Sequence, residues 1–548
     1  MWDRVRGGNS TKASGCNVNL IINGGLFHEF SLGSKNTHSG NITAVINGGE
    51  FRRGISVSVY ETTPSTFSGN VNVTINGGLF YDEISVSKGD KGRADGRFNL
   101  VINGGNFDHL DRISGASNME GNMTSTLDIT GAIDINAKVE GEMSFTNAIR
   151  QNGADPWIFY HDGYFYYTAS EARTLSLARA RNLGDLKYAE SKVIYSPETG
   201  HPWSIHQWSP EIHYYTDEQV GEGNGGWYCY IAPCSEKEYR EAEQNHRMYV
   251  IKCLDGDNLM GRWGNPVTGE VNVPERVVAP DISDWDSTWA GGQSGVVIDG
   301  KAYTLFVAMS KERIENPNGT KSNYQYICIA PLTNPWTIKG QPTMICKPDY
   351  DWEKVGAESG AAQVVEGSTA VYGNDGSVYI IYSGSEYWTT EYQLGQLKYT
   401  GGDPCDAKNW EKKPTSIFRQ NGILTGSGHA SYVTDAFGQG WICYHAYVGH
   451  PRAQMNLDHY GYSGGRLAFV EPYYADKNGV VIADGAGMPA PLDRVYVTKL
   501  DPTPLSERIS GFSAVDNSAT LYDIVMAIRS RLTGENITLD AIKNMMQR

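Results

Sequence analysis

Four residues stand out by type and by place. Asp155, Glu211, Glu366 and His429 each stand at or just before the start of a short strand-like run, and the runs are widely spaced in a chain of 548 residues. Carboxyl groups gathered in one pocket are the groups of proton transfer, provided their surroundings hold one ionised and another protonated. An imidazole among them offers a contact for water or for an ion. Taken singly, each has an ordinary reading as well. Asp before Pro opens turns, Glu before Gly is common at surfaces, and an isolated histidine is usually a satisfied core residue. What sets these four apart is the repeat that carries them.

That repeat occurs five times as a short strand, a glycine-containing turn and an aromatic-rich strand. The units are PWIFYHDGYFYYTAS (156–170), PEIHYY…GGWYCYIAP (210–233), SGVVIDGKAYTLFVA (294–308), STAVYGNDGSVYIIYSG (368–384) and ASYVTDAFGQGWICYHA (430–446). Asp-Gly between alternating strands is a hairpin signal. Four units are followed by a further strand (LSLARAR, MYVIKCL, YICIAPL, LGQLKYT) that completes a four-stranded blade. Five such units in a row predict a five-bladed β-propeller over residues 145–500. The innermost strand of a blade begins near the central axis, so its first residues line a shared pocket. On that reading Asp155, Glu211, the pair Gly291-Gly292, Glu366 and His429 occupy equivalent points of the five blades.

A second repeat precedes the first. VNLIINGGLF (18–27), ITAVINGGEF (42–51), VNVTINGGLF (71–80) and FNLVINGGNF (98–107) share one pattern, with LDITGAIDI (127–135) a decayed copy. The spacing of 24 to 29 residues, with β-branched alternation before a glycine turn, predicts the coils of a parallel β-solenoid over residues 1–144. Val and Ile point inward, and Asn and Phe stack from coil to coil. Such ladders are structural, although stacked Asn and exposed aromatics also suit a carbohydrate-binding face. Met1 opens directly into repeat-like sequence without a signal peptide, as expected of a piece cut from a longer chain. The tail, residues 508–548, switches to helical spacing, with a break at Gly534 and a cap at Thr538. The predicted fold class is therefore all-β: a five-bladed β-propeller preceded by a parallel β-solenoid, with a short helical C-terminal tail.

Composition narrows the partners. Lys+Arg number 46 and Asp+Glu 62, a formal charge of −16, so a nucleic-acid or anionic-membrane surface is not expected. No run of 18 apolar residues occurs, so no membrane insertion is expected. Tyr (33) and Trp (13) are abundant, which suits stacking on sugar rings. The cysteines form no metal-type CxxC pair, and Cys229, Cys328 and Cys443 sit in strand-like runs as buried thiols.

At these residues the chain resembles the family 43 glycoside hydrolases. GADPWIFYHDGYFYYTAS (153–170) matches that family's first-blade signature, QWSPEIHYY (207–215) its second-blade motif, and VEGSTAVYGNDGSVYIIYSGSEYWTTEYQLGQL (365–397) the segment ending in Y-x-L-G-x-L. GSGHASYVTDAFGQGWICYHAY (426–447) resembles its G-H-N-S segment and GRLAFVEPYY (465–474) its closing element with Arg466. The resemblance implies Asp155 as general base and Glu366 as general acid of an inverting hydrolysis, in which the acid must keep its proton near neutral pH. It implies supporting or substrate-binding roles for Glu211, Trp208, Trp289, Trp388 and Arg466, with Trp157 and Tyr387 as further sugar-stacking candidates. It also implies a single calcium-like ion at the axis, mostly water-ligated, near His429.

The pattern is broken at two places. VEGS stands where the family has N-E-G-P, and the expected third-blade aspartate is Gly292, three residues past Trp289. Asp286 or Asp284 in the preceding loop, or burial of Glu366 alone, are the substitutes the sequence offers. A propeller that binds carbohydrate without cleaving it is the alternative. The implied substrate is arabinose- or xylose-containing plant polysaccharide or its oligosaccharides, cleaved as by an α-L-arabinofuranosidase or next a β-xylosidase. The expected setting is a secreted or cell-surface bacterial protein. The tail faintly resembles a dockerin helix and so suggests cellulosome-like attachment, but it lacks the D-x-N-x-D-G calcium loop.

Overall fold

The computed structural model describes residues 2–7, 15–33, 37–59, 65–88, 92–116, 119–130, 133–235, 246–280, 290–451, 464–483 and 485–513. The helical pattern of the tail, Asp284, Asp286 and Trp289 lie outside the described residues. The chain divides into two compact units, one of Met1–Val139 with the chain from Pro502, the other of Glu140–Asp501.

The first unit is a solenoid of parallel sheets. One sheet stacks Val18–Ile22, Ile42–Ile46, Val71–Ile75, Arg97–Ile102 and Thr124–Ile129 in register, each coil pairing with the next. The alternation seen in the sequence sends Ile42, Ala44 and Ile46 inward, where they are buried. The Asn-Gly-Gly asparagines form an exposed ladder: Asn47 donates to Asn23, Asn76 to Asn47 and Asn103 to Asn76, each at 2.8 Å, and Thr130 continues it. Phe27, Phe51, Phe80 and Phe107 stack at 5.0–5.1 Å. These rings lie in the interior and not on a face, so they cannot supply the exposed aromatics of a sugar-binding surface. Phe51 is fully buried between two rings. Phe51→Ala is therefore expected to cost about 3–5 kcal/mol of unfolding free energy in urea, and a change under 1 kcal/mol would refute this packing.

The second unit is the five-bladed propeller. Blade I comprises Trp157–His161, Tyr164–Thr168, Leu175–Ala180 and Lys192–Tyr195, antiparallel in chain order. Blade II is led by Glu211–Tyr215, blade III by Ala290–Ile298, blade IV by Val365–Tyr372 and blade V by Leu424–Thr434. The five leading strands touch in a closed ring, with the fifth returning to the first. Side chains stitch the junctions. Trp157 Nε1 donates to Ile212 O (3.1 Å), the Val297 N–H to Tyr372 Oη (2.9 Å) and the His429 N–H to Ser383 Oγ (2.8 Å). Ser431 Oγ accepts from the Ile158 N–H (3.0 Å) and donates to Pro156 O (2.9 Å).

Blade V is assembled from both ends of the unit. Gly440–Val448 and Leu467–Asp476 follow its leading strand, and its outer edge is shared by Gly479–Ile482 and by Ala148–Arg150, from the start of the unit. The ring is thus closed by a strand that precedes blade I. Within the blades, Trp157 is buried and bonded to Ile212, a core residue and not a wall of the pocket.

Candidate active site

In or just before each leading strand the backbone makes a left-handed step, and blade V has a further one at Gly426 (59°). Asp155 (φ 51°), Ser209 (48°), Gly292 (56°), Gly367 (58°) and His429 (46°) take the shared step in blades I to V. Asp155, Gly292 and His429 are therefore equivalent, as the sequence implies. The expectation that Glu211 and Glu366 share this position is corrected: Glu366 precedes the step by one residue, and Glu211 follows it by two. Side chains alternate along a strand, so these carboxylates enter from different directions. The Glu-Gly pair has a physical reason. A Cβ on Gly367 would stand 2.9 Å from His429 Nδ1, so only glycine lets the imidazole pack beside Glu366.

Asp155 is the hub. Its Oδ1 lies 3.2 Å from His429 Nδ1 and 3.3 Å from Arg466 Nη1, and its Oδ2 accepts from Ser170 Oγ at 2.5 Å. Ser170 Oγ in turn accepts from the Ser209 N–H at 2.8 Å. The Asp155 N–H donates to His445 Nδ1 at 3.4 Å. Burial pushes the Asp155 carboxyl up, but the attraction of His429 and Arg466 and the bond from Ser170 outweigh it. The group is held well below the usual carboxylate range. Burial also holds His445 well below the usual histidine range, so it is neutral and can accept that N–H.

Glu366 shares this pocket and behaves oppositely. Burial raises its pKa, and the nearby Asp155 charge raises it further, against the pull of His429 and Arg466. Tyr392 donates to Glu366 Oε1 at 3.0 Å, and its ring stacks on His445 at 5.3 Å. A bond donated to the ionised carboxylate favours that form, so Tyr392 works against the raised pKa. Tyr392→Phe is expected to move the Glu366 titration upward, read from its carboxyl infrared band with Glu366→Gln as the blank. A downward or absent shift would refute the assignment. Two carboxyl groups whose pKa values are pushed apart by their surroundings are the arrangement of a base and an acid set by environment.

The remaining sequence candidates fall in different places. Arg466 belongs to the pocket and lies 4.9 Å over the ring of Tyr387, which meets Trp388 edge-on at 5.1 Å. Both aromatics are partly exposed and so available to a ligand. Glu211 is buried and meets His213 Nε2 at 3.1 Å, on its own strand. Trp208 is partly exposed and lies flat on His246 at 3.7 Å. Gly292 has room, because an added Cβ would meet only Val307 at 3.5 Å, but it presents no carboxylate. Ser170, His445 and Tyr392 were not singled out from sequence. Tyr392 is the first residue of the Y-x-L-G-x-L element, and that was its available signal.

The model of the family described as Glycosyl hydrolases family 43 matches residues 145–481. An extracellular exo-α-(1→5)-L-arabinofuranosidase of Streptomyces avermitilis is 29% identical over 309 residues, covering 55% of this chain and 56% of its own length. The chain thus spans little more than half of that relative. The α-L-arabinofuranosidase 43 of Humicola insolens is 26% identical over 404 residues, 72% of each chain. The crystal structure of an α-L-arabinofuranosidase from Lactobacillus brevis is 27% identical with a TM-score of 0.49, covering 64% of this chain and 98% of that one.

Proposed function

The chain belongs to glycosyl hydrolase family 43, and from that premise we propose that it is an inverting α-L-arabinofuranosidase acting on arabinose-containing plant polysaccharide or oligosaccharide, exo-acting or debranching. The observation that carries this reading is the meeting in one pocket of Asp155, set against His429, Arg466 and Ser170, with Glu366, bonded by Tyr392, their pKa values shifted in opposite directions. Asp155 takes a proton from a water whose oxygen bonds to the anomeric carbon. The bond from that carbon to the glycosidic oxygen breaks, and Glu366 gives its proton to the departing oxygen. Arg466 and His429 keep Asp155 ionised, and Ser170 fixes its orientation. Burial and the Asp155 charge raise the pKa of Glu366, a shift in the direction that a third-blade aspartate would otherwise add at Gly292.

A water-clad, calcium-like ion at the axis is part of the proposal. His429 turns Nδ1 to Asp155, so Nε2 would be the ring atom to hold such an ion, whose charge would add to that of Arg466 in holding Asp155 ionised. The named arabinofuranosidase relatives support the choice of sugar, and the extracellular one supports a secreted or cell-surface setting. A second reading rests on Gly292: without that carboxylate, the propeller binds sugar and does not cleave it. The deciding experiment is hydrolysis of p-nitrophenyl α-L-arabinofuranoside and β-D-xyloside, followed by arabino-oligosaccharides. Release of arabinose supports the proposal, release of xylose moves it to a β-xylosidase, and binding without release on every substrate supports the second reading.

A further inference from the structure

Blade II carries a cluster of chemistry-bearing side chains that the acid–base pocket does not use. His206 and His246 each bring one imidazole nitrogen, and Cys234 brings Sγ, all within 4.8 Å of one another. Two imidazoles and a thiolate are borderline-to-soft donors, suited to zinc and unsuited to calcium or magnesium. Zinc bonds of about 2.0–2.3 Å place tetrahedral ligands roughly 3.3–3.8 Å apart, so only a small closing movement is needed.

The backbone holds these residues together. Cys234 pairs with Ile205, the neighbour of His206: the Ile205 N–H donates to Cys234 O (3.1 Å) and the Cys234 N–H to Ile205 O (2.9 Å). The His206 N–H donates to Ala172 O (2.6 Å), and the Ala232 N–H to Trp208 O (3.1 Å). His246 Nδ1 lies 2.5 Å from Ala232 O. A carbonyl can only accept, so Nδ1 carries the proton and Nε2 keeps a lone pair for the cluster, the arrangement that orients metal-ligating histidines. Trp208 fixes the ring plane from above at 3.7 Å and 8°. Cys234 and His246 are buried, whereas His206 is partly exposed, which leaves one side open to a fourth ligand.

We propose that His206, Cys234 and His246 form a zinc-type metal site on blade II, with water as the fourth ligand. The site would fasten the turn from His206 to Ser209, and Ser209 reaches Asp155 through Ser170. It is separate from the axial ion, which takes a different residue and a different class of metal.

The test uses the untagged full chain, incubated with zinc alone, desalted and analysed for metal. One zinc per chain is expected, with a rise in melting temperature on zinc addition. Cobalt in its place should give the near-ultraviolet thiolate-to-metal absorption. Cys234→Ser should abolish that band, and His206→Asn, at a partly exposed position, should lower zinc retention at least tenfold. Failure of the wild type to retain zinc would overturn the proposal. So would equal zinc and the same cobalt band in folded His206→Asn and Cys234→Ser, because the metal would then sit on other groups.

Discussion

Glu366→Gln is expected to lower kcat/KM on an arabino-oligosaccharide by about 10²–10⁴-fold, the usual contribution of a general acid. The amide keeps the size of the side chain and its contact with Tyr392, but has no proton of the required acidity. The loss should be much smaller on the nitrophenyl glycoside, because a nitrophenolate leaves without being protonated. The pH profile carries the same information. Burial and the Asp155 charge raise the pKa of Glu366, so wild-type activity should fall as pH rises through that raised value. The variant should lose this alkaline limb. Equal losses on both substrates with the limb intact would show that Glu366 is not the acid.

Asp155→Asn is expected to be as damaging, through the other half of the reaction. About 10²–10⁴-fold of kcat/KM should go with the base, and a small external anion such as azide should restore part of the turnover. Stability should fall as well. His429 and Arg466 hold the Asp155 carboxyl below its ordinary range. Its ionised form therefore adds stability above the unfolded-state value of about 3.9, and that stability is lost as pH falls toward the lower folded-state value. Asn removes the charge that faces His429 and the partly exposed Arg466, a loss expected to stay below the about 3–5 kcal/mol of a broken, fully buried pair. A variant of undiminished activity, or one more stable than wild type at pH 7, would sink the assignment of Asp155 as the hub.

The blades were legible because Asp-Gly turns and period-two alternation are local signals, and the solenoid because Asn-Gly-Gly recurs at a near-constant spacing. Asp155, His429 and Arg466 could be found because each sits at a marked point of a repeat or motif. Other features were not local. The closing strand of blade V could not be read as such, because Ala148–Arg150 is three residues long and its partner lies at the far end of the unit. The register of Glu211 and Glu366 escaped because alternation does not say where the left-handed step falls. Ser170 and His445 carry no pattern beyond that of the strands they end or fill. The candidate metal cluster was hidden for the same reason, since Cys234 and His246 flank a polar stretch and His206 lies on another segment.

The closing strand also has a consequence in time. On the ribosome Ala148–Arg150 emerges near the start of the unit and its partner Leu467–Asp476 near the end, so the ring cannot shut until most of the unit has been made. Contacts of such long sequence separation are slow to form, and during that wait the edges of blades I and V stand open to wrong partners. Asp155 lies five residues beyond the closing strand, and Arg466 lies just before the strand that receives it. Their meeting therefore requires the same long-range pairing as ring closure, so acid–base competence is expected to serve as a readout of that closure.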